Sequence, residues 1–358
     1  MKYEYWFANI KGITNSRKYE IRQSINEIKL LYYIEETQLS KYPFSETEQK
    51  TILESIRTWK LQEEYEKLEQ KGIWFVTRID SLYPKRLQYI QNPPYALYVK
   101  GQLPKEEVKT VGIVGARNCS PYGETMARMF GEELSKAGVQ IISGMARGVD
   151  SAGQKGALQV GGSSFAVLGC GADICYPREQ IGLYMELQEE GGILSEFPLG
   201  ASPLPQHFPA RNRIISGLSD VVLVMEAKEK SGSLITADMA LEQGKDVYAL
   251  PGPVNSHLSR GCNLLIKQGA GVLLSPEEFM SEIGISKQNQ KENNQQKKLL
   301  LETTENMVYS CLDFSPKNLE ELIQTTKLPV ATLLNVIMSL ELQGFVREIA
   351  KNHYVKMI

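Results

Sequence analysis

Histidine is scarce in this 358-residue sequence: there are three, at positions 207, 257 and 353, and none stands in a Ser/Asp setting that would suggest a catalytic triad. Cysteine occurs five times, at 119, 170, 175, 262 and 311, never as a C-x-x-C pair. That spacing argues against a zinc site and against a disulfide framework, and it fits a reducing, cytoplasmic compartment. No run approaches the ~20 apolar residues of a membrane span, and the residues after Met1 do not form the apolar stretch of a secretory signal, so no membrane association is expected. An excess of one charge is missing too. With 40 Lys and Arg against 42 Asp and Glu, the net charge of -2 excludes a generally basic nucleic-acid coat protein, and any polyanion site must be local.

What is present divides the chain into four parts: a helical domain over 1–75, an α/β domain over 76–283, a flexible linker over 284–303 and a small domain over 304–358. The first part carries Ile21, Ile25, Ile28 and Leu31 at helical spacing and a charged run from Glu63 to Lys71. Its Lys11-Gly-Ile-Thr14 turn has a weak likeness to a helix-hairpin-helix, a phosphate-binding device. From Ile73, strand-like Trp-Phe-Val-Thr and the Pro93-Pro94 turn read as a lead-in packed on the edge of the α/β domain.

A regular alternation then begins. Strands are expected at 111–114, 139–143, 164–168, 193–195, 221–226, 246–250 and 271–274, and helices at 122–136, 150–160, up to about 190, 233–243 and 263–268. Short β-rich runs alternating with helices mean βαβ units and a doubly wound parallel sheet, an extended Rossmann-like α/β domain. The linker is polar and poor in apolar residues. Beyond it, helices at 307–312, 319–324 and 330–342 and then two short strands give the order of a winged helix. The helix that would read a major groove, 330–342, has no Lys or Arg, so a protein contact or a structural role is favoured over duplex binding.

The densest chemistry is Phe208-Pro-Ala-Arg-Asn-Arg-Ile-Ile-Ser-Gly217, two arginines flanking an asparagine at the opening of a helix. Arginine forks and free N–H groups of a first helical turn both suit phosphate. Ligands on such sheets bind outside the carboxyl ends of the strands. There stand Gly115-Ala-Arg117, Ser143-Gly-Met-Ala-Arg-Gly-Val-Asp150, Gly169-Cys-Gly-Ala-Asp with Tyr176-Pro-Arg178, Ser195-Glu196, and Glu226 to Thr236. Asp150, Glu196 and Glu226 are read as groups that orient arginines or cap helices, with a catalytic role as the competing reading.

Taken together these motifs, with Ser231-Gly-Ser-Leu-Ile-Thr-Ala237, resemble the DprA/Smf family of DNA-processing proteins over about 73–275. The resemblance implies a homodimer that binds single-stranded DNA without sequence preference and loads the recombinase RecA onto it, chiefly during natural transformation. It implies no cofactor, no metal and no catalytic residue. Carried over by motif, the DNA-binding residues are Gly115, Arg117, Arg178, Phe208, Arg211, Asn212, Arg213, Lys230, Ser231, Gly232 and Ser233. Many relatives place a basic residue three positions before the corner's Phe; here that position is Pro205, which removes one phosphate contact. The dimer surface is expected near 262–274 on family grounds.

Two other readings compete. The same Rossmann variety resembles the LOG phosphoribohydrolases, nucleotide-cleaving enzymes whose loop reads Pro-Gly-Gly-x-Gly-Thr-x-x-Glu. With its Thr at Thr236, this chain has Ile235 for the preceding Gly and Met239 for the catalytic Glu. An NAD-dependent oxidoreductase needs an acidic residue ending the second strand, and Ser143-Gly144 stands there instead.

Overall fold

The computed structural model describes residues 1–39, 42–285, 303–313 and 315–356. The expected linker lies, from 286 to 302, outside the described residues.

Six helices open the chain: α1 (Lys2–Asn9), α2 (Asn15–Ser24), α3 (Ile28–Tyr32), α4 (Glu36–Leu39), α5 (Glu46–Thr58) and α6 (Leu61–Gln70). Side-chain caps fix the starts of two of them. Thr14 Oγ1 accepts from Arg17 N, and Ser45 forms a capping box with Glu48. Gly12, at φ +82°, makes the turn between α1 and α2.

The sheet is built from β1 (Ile73–Thr77), β2 (Ala96–Gly101), β3 (Thr110–Val114), β4 (Gln140–Ser143), β5 (Ser164–Val167), β6 (Gly192–Ser195), β7 (Val221–Val224), β8 (Asp246–Ala249) and β9 (Gly271–Val272). Their spatial order is β1-β2-β6-β5-β4-β3-β7-β8-β9. The seven from β6 to β9 run parallel; β1 and β2 extend the β6 edge as antiparallel strands, so the lead-in joins the sheet itself. Between them run α7 (Pro121–Lys136), α8 (Val149–Gln159), α9 (Ile181–Glu190), α10 (His207–Leu218), α11 (Gly232–Glu242) and α12 (Arg260–Lys267), and α13 (Pro276–Glu282) comes after β9.

Period-two alternation sends neighbouring residues of one strand into different layers. Val111 and Ile113 face α7 and α8 through Phe130, Leu134 and Val149, whereas Val114, Val222 and Val224 face α10 and α11 through Ile214, Ile215 and Ala237. A third cluster joins α1 to the sheet edge: Tyr5, Trp6 and Phe7 pack with Phe75, Tyr95 and Tyr98. Burying rings of that size stabilises by roughly 1.5–3 kcal/mol each, so this contact outweighs any surface ion pair.

The structure departs from expectation at four elements. Helix α12 begins three residues before the expected 263, and β9 is two residues instead of four. Helix α13 was not anticipated, although Ser275-Pro276 before two glutamates is a helix start, with Ser275 Oγ accepting from Glu278 N. The distal domain is a winged helix of α14 (Thr303–Cys311), β10 (Lys317–Asn318), α15 (Leu319–Thr326), α16 (Val330–Leu342), β11 (Val346–Ala350) and β12 (His353–Lys356), with strand order β10-β12-β11. Strand β10, two residues long, is also new.

Candidate nucleic-acid interface

The chain leaves β3 toward β4 on one side, while β7 enters on the other, so the order of parallel strands reverses between them. A crevice opens there, outside the carboxyl ends. It is a cleft of about 570 Å³ walled by the turns after β3 and β7 and by the first turns of α10 and α11. Gly115, Arg117, Phe208, Arg211, Asn212, Ser231, Gly232 and Ser233 all line it. A second lobe of about 520 Å³ adjoins it across Arg117, Phe208 and Arg211, and this lobe holds Arg178.

Arg117 is exposed on the turn after β3, its guanidinium carbon 5.3 Å from the centre of the Phe208 ring. Phe208 in turn lies 5.5 Å from the ring of Tyr176, tilted by 36°. Gly169 backs closely on it: a Cβ there would stand 3.0 Å from Phe208 Cδ1, and the ring would have to give by a few tenths of an ångström. Ser231 Oγ and Ser233 Oγ sit 2.9 Å apart at the opening of α11, whose first-turn N–H groups add donors.

Arg211 forms the floor and is only 5% exposed. Its Nη1 donates to the carbonyls of Gly144, at 3.1 Å, and Val167, and its Nε donates to Asn212 Oδ1. It thereby ties the ends of β4 and β5 together, while Nη2 carries none of these bonds. Burial pulls its basicity down to about 10, against the attraction of Asp150. Asp150 is buried beside it and accepts from Gly144 N at 3.2 Å; burial raises its pKa, and the Arg211 charge with the Gly115, Gly144 and Ala146 amides opposes the rise. The floor is therefore a positive charge held under the cleft more than a freely reaching arm.

Arg213 requires a correction. It is buried, and both its Nη atoms meet Glu196, at 2.5 and 2.6 Å; Nε donates to Asn92 O and Nη1 also to Ala210 O. A guanidinium spent in this way has no fork left for phosphate, and it is absent from the walls of both lobes. Lys230 is the second displacement: with Ser231 and Gly232 it lines a separate groove toward α12, and Lys228 takes the place inside the cleft. Lys228, Tyr176 and, in the outer lobe, Arg147 are wall residues outside the expected set.

The three carboxylates have structural work. Glu196 pairs with Arg213, Asp150 faces Arg211, and Glu226 accepts from Ser120 N and Oγ at 2.8 and 2.6 Å, which anchors the start of α7 to the end of β7. His207 stacks on Phe197 with ring centres 4.0 Å apart, its Nδ1 3.1 Å from Gly169 O. Among the described residues no group of three or more His, Cys, Asp or Glu is arranged to hold a metal ion, and no helix is long and apolar enough to cross a membrane.

Residues 74–284 match the family DNA recombination-mediator protein A, and 293–350 match the DprA winged helix domain. The chain belongs to the DNA recombination-mediator protein A family. Protein Smf of Escherichia coli is 48% identical over 217 residues, 60% of this chain and 58% of that protein; the DNA processing protein DprA of Streptococcus pneumoniae is 40% identical over 222 residues, 62% and 77%. The chain thus spans a little over half the length of the Smf protein it matches at 48% identity. Its fold is similar to the crystal structure of DNA processing protein A from S. pneumoniae (34% identity, TM-score 0.68, 79% of this chain and 98% of that one). It is also similar to the solved structure of DNA processing protein A from Helicobacter pylori, described for its single-stranded DNA binding mode (31% identity, TM-score 0.54, 60% and 97%). In this recombination-mediator family member the matched segment spans all nine strands of the sheet except the first residue of β1.

Proposed function

We propose that this chain is a non-enzymatic, cytoplasmic binder of single-stranded DNA that acts without sequence preference. As a homodimer, it loads RecA onto the bound strand in natural transformation and recombination. The observation that carries the binding role is Arg117 exposed over the half-buried Phe208 ring at the mouth of the cleft. A cation beside an aromatic face suits a phosphate next to a base, and stacking is tolerant of base identity because every base has a π-face. Hydroxyls and helix N–H groups at Ser231 to Ser233 add phosphate donors without reading sequence. The mediator role is supported by the recombination-mediator family, and the single-strand role by the H. pylori relative's single-stranded DNA binding mode.

Titration with fluorescent oligo-dT, AMP and NAD across salt tests this. Tight oligonucleotide binding is expected, with log K falling by ~0.7 per log salt for each phosphate neutralised, and no turnover of AMP. Cleavage of AMP to adenine would install the phosphoribohydrolase alternative. For the mediator role, the protein should shorten the lag of RecA assembly on DNA pre-coated with single-strand binding protein; an unchanged lag removes RecA loading.

A further inference from the structure

We propose that Tyr176 and Phe208 form a wedge that separates two consecutive bases of the bound strand, one base entering each lobe of the cleft. The inference rests on the single-strand reading above and adds what the strand must do to fit. The two lobes, about 570 and 520 Å³, have Arg117, Ala146, Tyr176, Pro203, Phe208 and Arg211 in common, so the two aromatic side chains stand on their shared boundary. Tyr176 is 38% exposed, and its ring stands 5.5 Å from that of Phe208. The pair has little room to withdraw. Gly169 backs directly on Phe208, and Pro177 restricts the backbone beside Tyr176.

Each lobe has its own means of holding a phosphate. The inner one has Lys228 with Ser231 and Ser233; the outer one has Arg178 and Arg147. The ion pair of Arg147 with Glu179, 3.4 Å long and more than half exposed on both sides, is of the kind that contributes little and gives way to a phosphate. Stacked bases rise about 3.4 Å per step, and inserting a ring roughly doubles that gap. An unpaired strand loses only stacking when it opens, whereas a duplex must also break pairs. The wedge is therefore a device for choosing single strands, beyond what a cationic cleft alone provides, and Tyr176 is its residue outside the strand-gripping set.

The test uses the full chain and a short oligo-dT carrying two adjacent 2-aminopurines, whose exciton-coupled circular dichroism reports their stacking. Binding should abolish that signal. Tyr176→Ala should keep the melting temperature, bind about tenfold more weakly, retain the stacking signal in the complex and narrow the preference for single strand over duplex. Tyr176→Phe should restore affinity, unstacking and strand preference. Wild-type binding with the stacking signal intact overturns the wedge and leaves the single-strand reading standing, whereas absence of oligonucleotide binding overturns that reading. A Tyr176→Phe variant that behaves as Tyr176→Ala would also overturn the wedge, since the hydroxyl would then be the active group.

Discussion

Arg211 and Arg213 stand two residues apart on α10 and serve different ends of the fold. Successive positions on an α-helix turn by about 100°, so residues two apart lie on nearly opposite faces. Phe208, Arg211, Asn212 and Ile215, at i, i+3, i+4 and i+7, all line the cleft, and Arg213 turns away to Glu196. That sorting was legible in the spacing of Phe208 to Gly217; what the spacing did not carry was the partner, because Glu196 comes from the end of β6, 17 residues earlier. Arg117, exposed at the cleft mouth, and Arg213, buried behind it, give paired expectations. Arg117→Ala should weaken oligo-dT binding, reduce the salt slope by ~0.7 and leave thermal unfolding unchanged. Arg213→Ala leaves the largely buried Glu196 carboxylate without its cation and should lower stability by about 3 kcal/mol, read by denaturant unfolding. Should Arg213→Ala leave stability untouched while abolishing binding at full folding, the ion pair is not its role and the fork reaches the strand after all.

At the scale of elements, some parallel strands announce themselves as short β-branched runs, and some helices as a cap that precedes helical spacing. Val221-Val-Leu-Val224 and Ser120-Pro121 are examples, the first buried throughout and the second beginning α7. Position along a loop is less legible. Lys228 and Lys230 occupy the same turn after β7, yet the first lines the cleft and the second a neighbouring groove, a difference that residue type does not carry. The winged helix illustrates what composition does carry. Its α16 lacks Lys and Arg and exposes Val330, Leu334, Met338 and Leu342 along one line. A cation-free helix has nothing to exchange for the counterions of a duplex. Deletion of 304–358 should accordingly leave the oligo-dT affinity within about twofold by fluorescence anisotropy, a small change on the scale where tenfold is about 1.4 kcal/mol. A loss of tenfold or more would assign DNA contact to that domain.

For the whole molecule, the first helices are part of the sheet's packing. The boundary expected between 75 and 76 falls inside β1, and the residues on its two sides share one core: Phe7 is fully buried with its ring 5.5 Å from Tyr95 at 82°, and Tyr5 meets Tyr98 edge-on at 6.1 Å. Polar ties run the same way. Glu4 receives the Arg22 Nε at 2.7 Å and the Tyr95 hydroxyl at 3.3 Å, and Asn15 reaches Glu196, the partner of Arg213, at 3.4 Å. A helical module that merely hung on the edge would unfold by itself and leave β1 and β2 protected. Shared burial demands that both open together. Replacing Phe7 with Ala removes a ring from that common core and should cost about 3–5 kcal/mol. Native-state hydrogen exchange of the full chain should show the loss equally at the amides of α1 and of β1 and β2. Faster exchange confined to α1–α6, with Phe75 and Tyr98 as protected as before, would mean that the helices fold as a separate unit.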